Sequence, residues 1–202
     1  VLGQAQQTKI EFNNSAKINL NIANIKANQY AGGFAGSLEN GGTINVNTQK
    51  VQLSPLMSIR GNSGLGGFSG IIVSTNLKGD YKPNFSDTDV ITNKDNTPFF
   101  AGKINSDDKS SSAQYIGGIA GSVDNSSIEG FYVTPSLCGN RYVGGIAGSV
   151  NNTTVYNCAA NCGVFNNGSY SEAYSLGGII GYLSNNKACN YENLVNYTSI
   201  ND

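Results

Sequence analysis

The side chains in this chain that could do chemistry are four cysteines, a few carboxylates and seven Asn-x-Ser/Thr sequons. There is no histidine. That removes the commonest general base, the Ser-His and Cys-His nucleophile pairs, and the zinc sets that contain an imidazole. Glu11, Glu39, Glu129, Glu172 and Glu192 fall at different points of the sequence pattern, which argues against a glycosidase acid and nucleophile pair without excluding one. Asp87 and Asp89 have the spacing of calcium ligands, but the glycine and closing glutamate of an EF-hand loop are missing. Neither an enzyme nor a resident cofactor is expected.

Cys138, Cys158, Cys162 and Cys189 stand 20, 4 and 27 residues apart. An even count in a chain of secreted character reads as two disulfides. A four-thiolate metal site is the alternative, and the absence of any pair separated by just two residues argues against it. Three pairings are open. Position along the repeat described below favours Cys158 with Cys189 and Cys138 with Cys162, because residues of similar phase in adjacent layers come close enough to bridge. The sequons are at Asn13, Asn84, Asn125, Asn151, Asn152, Asn167 and Asn196. A chain so rich in Asn, Ser and Thr produces several by chance. Their placement in polar turns is what suggests glycosylation.

The elements that carry these side chains come from one phrase written five times. It reads Tyr30-Ala-Gly-Gly-Phe-Ala-Gly-Ser-Leu38, Leu65-Gly-Gly-Phe-Ser-Gly-Ile-Ile72, Tyr115-Ile-Gly-Gly-Ile-Ala-Gly-Ser-Val123, Tyr142-Val-Gly-Gly-Ile-Ala-Gly-Ser-Val150 and Ser175-Leu-Gly-Gly-Ile-Ile-Gly-Tyr-Leu183. The first glycines are 34, 51, 27 and 33 residues apart. Periods of this size mark repeat architectures. Read as a strand, the third copy puts Gly118 and Ala120 on one small-residue face, and the fourth adds Gly145 and Ala147. Glycine weakens a strand unless a second backbone must come close, or unless a positive φ is needed. Close packing is the favoured reason, with these four residues forming a flat packing face or interface. Tyr30, Tyr115 and Tyr142 precede the glycines at one fixed position, which reads as a structural ladder.

A polar turn and a second strand follow each of the last three phrases. The fourth copy, Gly144-Gly-Ile-Ala-Gly-Ser-Val-Asn-Asn-Thr-Thr-Val-Tyr-Asn-Cys158, resembles the GLUG motif of large bacterial and protist surface proteins. The third copy keeps Gly-Gly-Ile-Ala-Gly but has Glu129-Gly130 where Asn-Cys would stand. The resemblance implies a secreted or surface β-repeat protein and carries no catalytic residue.

The fold expected is therefore all-β, a β-solenoid of about five to six irregular repeats of roughly 27–34 residues in a single domain over 1–202. A polar insertion is expected at about 79–112, where the interval lengthens to 51 residues. Gly3-Gln4-Ala5 is similar to the small-x-small end of a signal peptide. Net charge is −1 with 12% charged residues, too little basic surface for nucleic acid or an anionic membrane, and no run is long and apolar enough to span a bilayer. The function expected is a structural subunit of an extracellular or cell-surface fibre, stalk or layer that associates with itself. The alternative is an adhesin that presents loops to a glycan or a host or cell-surface protein.

Overall fold

The computed structural model describes residues 2–6, 18–20, 24–48, 50–83, 98–107, 114–166, 174–184, 194–196 and 198–201. Among them there is no helix. Glycine recurs too often, and the apolar spacing is too short in period, for a helix to form. The strands fall into five sheets, and every pairing between them is parallel.

The first sheet stacks β1 (Leu2–Gln6), β5 (Ala35–Asn45), β9 (Ser69–Lys78), β12 (Ala120–Asp124), β17 (Ala147–Asn151) and β22 (Ile180–Ser184), with β13 (Ser127–Glu129) and β18 (Thr154–Tyr156) continuing two of its rows. The second stacks β3 (Asn24–Lys26), β7 (Ser58–Gly61), β10 (Lys103–Ser106), β15 (Ser136–Cys138), β20 (Gly163–Phe165) and β24 (Ser199–Asn201). The third stacks β4 (Gln29–Gly32), β8 (Ser63–Gly66), β11 (Ile116–Gly117), β16 (Arg141–Gly144) and β21 (Tyr174–Gly177). Two shorter sheets hold β2 (Ile18–Leu20) with β6 (Val51–Leu53), and β14 (Tyr132–Val133) with β19 (Cys158–Ala160) and β23 (Leu194–Asn196). Each repeat thus lays one strand on each main sheet before the next repeat begins.

The sequence intervals are the sheet register. Gly32 lies opposite Gly66, Gly66 opposite Gly117, Gly117 opposite Gly144, and Gly144 opposite Gly177. The phrase is not one strand. The third sheet ends at its first glycine and the first sheet begins three residues later, so Gly-Gly is the corner between them. None of these corner glycines has a positive φ. They are required because nothing larger fits. A Cβ on Gly118 would lie 2.2 Å from the Gly145 carbonyl, and one on Gly117 would lie 2.6 Å from the Ala147 Cα. Backbone bonds run between layers through the bend itself. The amides of Phe34, Phe68, Ile119 and Ile146 donate to the carbonyls of Phe68, Ile119, Ile146 and Ile179 at 2.8–2.9 Å.

The positive φ lies two residues earlier. Tyr30, Gly64, Tyr115, Tyr142 and Ser175 all adopt it, with φ between 49° and 67°. These residues occupy one phase of the repeat, and the third glycine of the phrase packs on them. A Cβ at Gly70 would meet the Tyr30 backbone at 2.5 Å, and one at Gly148 the Ile116 amide at 2.3 Å. Three glycines per phrase therefore have one cause, close backbone approach, at three places.

Interior side chains stack in rows. Phe34 and Phe68 are stacked with ring centroids 4.8 Å apart and ring planes nearly parallel, and Phe68, Phe99 and Phe131 continue the aromatic contact. Ala120 lies opposite Ala147, and both are fully buried. Gly118, Ala120, Gly145 and Ala147 are thus packed inside the chain, layer on layer, and do not form an outer interface.

The stretch 79–112 is not one loop. Phe99 and Phe100 are fully buried, and the Phe99 amide donates to the Tyr132 carbonyl at 2.8 Å. β10 then joins the second sheet between β7 and β15. The extra residues sit on either side of this core segment. From Leu77 to Phe100 the chain takes 23 residues where Ile128 to Val133 takes 5, and from Ile104 to Ile116 it takes 12 where Leu137 to Val143 takes 6. The aromatic pair and Ile104 carry enough apolar area to pull the middle back into the core. The Gly3 segment also belongs to the fold. β1 pairs with β5, and Gly3 aligns with the third glycine of the first phrase.

Gly118→Leu and Gly42→Ala separate the two uses of glycine. At Gly118 the new side chain drives into the next layer, and urea denaturation is expected to show a loss of typically about 1–3 kcal/mol. Gly42 has φ +64° with open space around it, so only backbone strain of roughly 1 kcal/mol is expected there. Equal stability of Gly118→Leu and the parent would contradict the close-approach account.

Candidate functional surface

The polar turn after each phrase is built from a hydroxyl row. The Gly41 amide donates to Thr75 Oγ1 at 2.9 Å, the Thr75 amide to Ser126 Oγ at 3.1 Å, and the Ser126 amide to Thr153 Oγ1 at 3.4 Å. Each hydroxyl in turn donates to the carbonyl two residues before it, at Val73, Asp124 and Asn151. The residue between carbonyl and hydroxyl takes a positive φ: Ser74, Asn125 and Asn152, with Asn40 in the same phase. Asn tolerates this conformation better than most side chains, which explains its placement.

Outside this row the side-chain amides donate across layers, to another amide or to a carboxylate. Asn152 Nδ2 donates to Asn125 Oδ1 at 2.6 Å, Asn151 Nδ2 to Asp124 Oδ1 at 2.5 Å, and Asn62 Nδ2 to Asn28 Oδ1 at 2.7 Å. Of the sequon residues, Asn125, Asn152 and Asn196 are exposed and Asn151 is half-buried. Asn151 is the least open, since its Thr153 hydroxyl is fully buried in the row. Asn13, Asn84 and Asn167 lie outside the described residues, as do Asp87 and Asp89.

The tyrosines form a second row. Tyr115 and Tyr142 stack with centroids 5.4 Å apart, Tyr182 lies 4.6 Å beyond Tyr142, and the Arg141 guanidinium sits 5.1 Å from the Tyr142 ring centre. Burial, then the neighbouring Tyr142, raises the Tyr115 hydroxyl above its ordinary pKa. The faces of these rings are turned toward one another. A separate pair, Tyr81 and Tyr132, stacks at 5.6 Å.

Charged groups also bridge layers. Glu129 accepts from Tyr156 at 2.8 Å and lies 3.1 Å from Lys78 Nζ. Burial pushes this carboxyl up, but the hydrogen bonds from Tyr156 and Lys78 outweigh it and leave the pKa lowered. Arg60 binds Asp107 through Nε at 3.0 Å and through its terminal nitrogen at 2.7 Å. Among the described residues no group of three or more Cys, Asp or Glu is placed to hold a metal ion, and no helix is long and apolar enough to cross a membrane.

The cysteines do not follow the expected pairing. Cys138, Cys158 and Cys162 are free thiols. Cys138 lies opposite Phe165 in the second sheet and is half-buried beside the inward-facing Leu137, whereas Cys162 is buried near the carbonyls of Val133 and Gly145. Similar offset from the glycines did not put the two thiols together. Opposite Cys158 stands Leu194, and Cys189 lies outside the described residues. The register also re-reads the GLUG-like ending. The position of Asn157 in the third repeat is Gly130, and that of Cys158 is Phe131, one residue later than Glu129-Gly130. Asn157 and Gly130 both have positive φ, while Cys158 and Phe131 both fill the core. A requirement for positive φ at the Asn position was the available signal.

No family model, no curated protein and no solved structure matches the chain.

Burial pushes the Cys158 and Cys162 thiols up from an ordinary value of 9.0 to about 12. A folded-state pKa raised in this way gives stability that is present below pH 9 and lost as pH rises toward 12. Stability measured by denaturation is expected to fall across that window in the parent and less steeply in Cys158→Ala. In the native protein at pH 8, a thiol reagent is expected to label Cys138 and leave Cys158 and Cys162 unmodified. Fast labelling of all three would contradict the burial.

Proposed function

We propose that this chain is a β-solenoid that serves as a non-catalytic structural subunit of an extracellular or cell-surface fibre, stalk or layer, built by association with itself. One observation carries the reading. Among the described residues, polar side chains that could recognise a ligand are bonded to their counterparts one layer away, as in Asn152 to Asn125, Asn62 to Asn28, and Glu129 to Tyr156 and Lys78. Rows satisfied in this way stiffen a stack and leave few convergent groups for a substrate. Low charge and the resemblance of the fourth phrase to GLUG repeats of surface proteins point the same way.

A second reading rests on the tyrosines. Tyr30 and Tyr182 are 46% and 41% exposed. Aromatic groups so placed suit an adhesin that stacks on a sugar, with the chain acting as its rigid support.

Electron microscopy and sedimentation of the native protein distinguish the two. The structural reading expects ordered fibres or sheets whose mass grows with concentration. Dispersed monomers that bind an immobilised glycan array, and lose binding with Tyr182→Ala, would replace it with the adhesin.

A further inference from the structure

One bulky side chain per layer lines the outside of the corner, and the sequence supplies it from two places seven residues apart. In the first, third and fourth phrases the earlier place holds Tyr30, Tyr115 and Tyr142, and the later place holds Ser37, Ser122 and Ser149. In the fifth phrase the two types are exchanged, with Ser175 first and Tyr182 second. The later places form one register row of Ser37, Ile71, Ser122, Ser149 and Tyr182. The exchange keeps the rings together. Tyr182 lies 4.6 Å from Tyr142 by ring centroids, and Tyr142 lies 5.4 Å from Tyr115 with the ring planes 15° apart. In the second phrase Gly64 and Ile71 fill the two places, and the Tyr30 ring lies so close over Gly64 that a Cβ there would be 2.6 Å from its Cδ1. Tyr115, Tyr142 and Tyr182 are therefore an unbroken run of phenols on three successive layers.

Packing does not by itself call for phenols. The interior aromatic contacts run through Phe34, Phe68, Phe99 and Phe131, which are phenylalanine at every place. In the outer row every aromatic place is tyrosine. What tyrosine adds is an ionisable hydroxyl on a ring that can give up one electron together with that proton. The chain has no tryptophan to compete for such an oxidation. Tyr115 and Tyr142 are half-buried, so water reaches the row and can carry the protons away. The Arg141 terminal nitrogen donates to the Tyr142 hydroxyl at 3.2 Å, which holds this ring in line between its two neighbours.

We propose that Tyr115 and Tyr142 are a site of oxidative cross-linking, joined ring to ring as dityrosine by a haem peroxidase acting with hydrogen peroxide, so that two neighbouring layers become covalently clamped. Tyr142 and Tyr182 offer the same reaction one layer further on. Each phenol gives up one electron and one proton and becomes a phenoxyl radical. Hydrogen peroxide takes up both electrons and both protons and becomes two waters. The two radicals join through the ring carbons next to the oxygen-bearing carbons, forming one carbon–carbon bond. Each of those carbons then passes its hydrogen to its own oxygen, which restores both phenols. The product is the chain less two hydrogens. Tyr115 and Tyr142 are 27 residues apart in sequence. A bond between them closes that loop in the unfolded chain and leaves the folded layers where they already are, so it favours the folded state. The link lies within one chain and is compatible with both readings under Proposed function.

The test treats the full chain with a haem peroxidase and hydrogen peroxide, at a dilution where sedimentation shows monomers. Peptide mapping by mass spectrometry is expected to find the Tyr115 peptide joined to the Tyr142 peptide with the loss of two hydrogens, as the dominant cross-link and together with dityrosine fluorescence. The treated chain is expected to melt at a higher temperature than the untreated one. Tyr142→Phe keeps a ring in the row and removes the phenol, and circular dichroism checks that it remains folded. In this variant Tyr115 is expected to stay unlinked and the treatment to lose its effect on the melt. A folded parent that forms no Tyr115–Tyr142 link would overturn the proposal. So would links only between chains, or links spread over the tyrosines as evenly as in the urea-unfolded chain. A linked chain that melts no higher than the untreated one would overturn the clamp.

Discussion

The close approach of backbones at the Gly-Gly corner sets the spacing on which the other rows depend. Parallel strands of neighbouring layers must stay about 4.8 Å apart along the stacking direction, and the chain must keep that spacing while turning from one sheet into the next. At Gly117 and Gly118 there is no room for a Cβ, and the carbonyl of Gly145 and the Cα of Ala147 occupy the space. Hydrogen bonds from Ile119 and Ala120 to the Ile146 carbonyl bind the corner to its neighbour. Once corners stack in phase, equivalent residues fall one above another. The Phe34–Phe68 stack, the Thr75–Ser126–Thr153 hydroxyl row and the Tyr115–Tyr142 stack all follow from that single alignment.

Much of this was legible in the sequence. The intervals of 34, 51, 27 and 33 residues between phrases reappear as strand register, since glycine opposite glycine is the only arrangement the corner tolerates. The all-β structure was readable from the same pattern. The bend within the phrase was not, because a strand that turns a corner keeps apolar residues at positions that still look alternating. Ile116 and Ile119 are both buried only because the chain bends between them. A tyrosine with positive φ was also hidden. Tyr is an unusual choice there, and only Gly64 in the second repeat hints at the backbone's need.

Length misled in one place and phase in another. The 51-residue interval suggested a single insertion, yet Phe99, Phe100 and Ile104 return to the core and divide it. Three apolar residues in a polar stretch outweigh the average character of the segment. For the cysteines, offset from the glycines ignored which way each side chain points. Cys138 shares a strand with inward-facing Leu137 and so points away from the interior that holds Cys162. Similar height in a stack is not enough for a bridge, because the Cβ vectors must also converge.

The account stands most directly on the hydrogen bonds that cross the corners, because a bend in an ordinary loop would leave its amides to water. Hydrogen exchange resolved to single residues reads this. The amides of Phe68, Ile119 and Ile146 should exchange as slowly as those of strand residues Val123 and Val150, although they lie in bends. Exchange at these three positions as fast as in an exposed turn, with the strands still protected, would contradict the stacked corner.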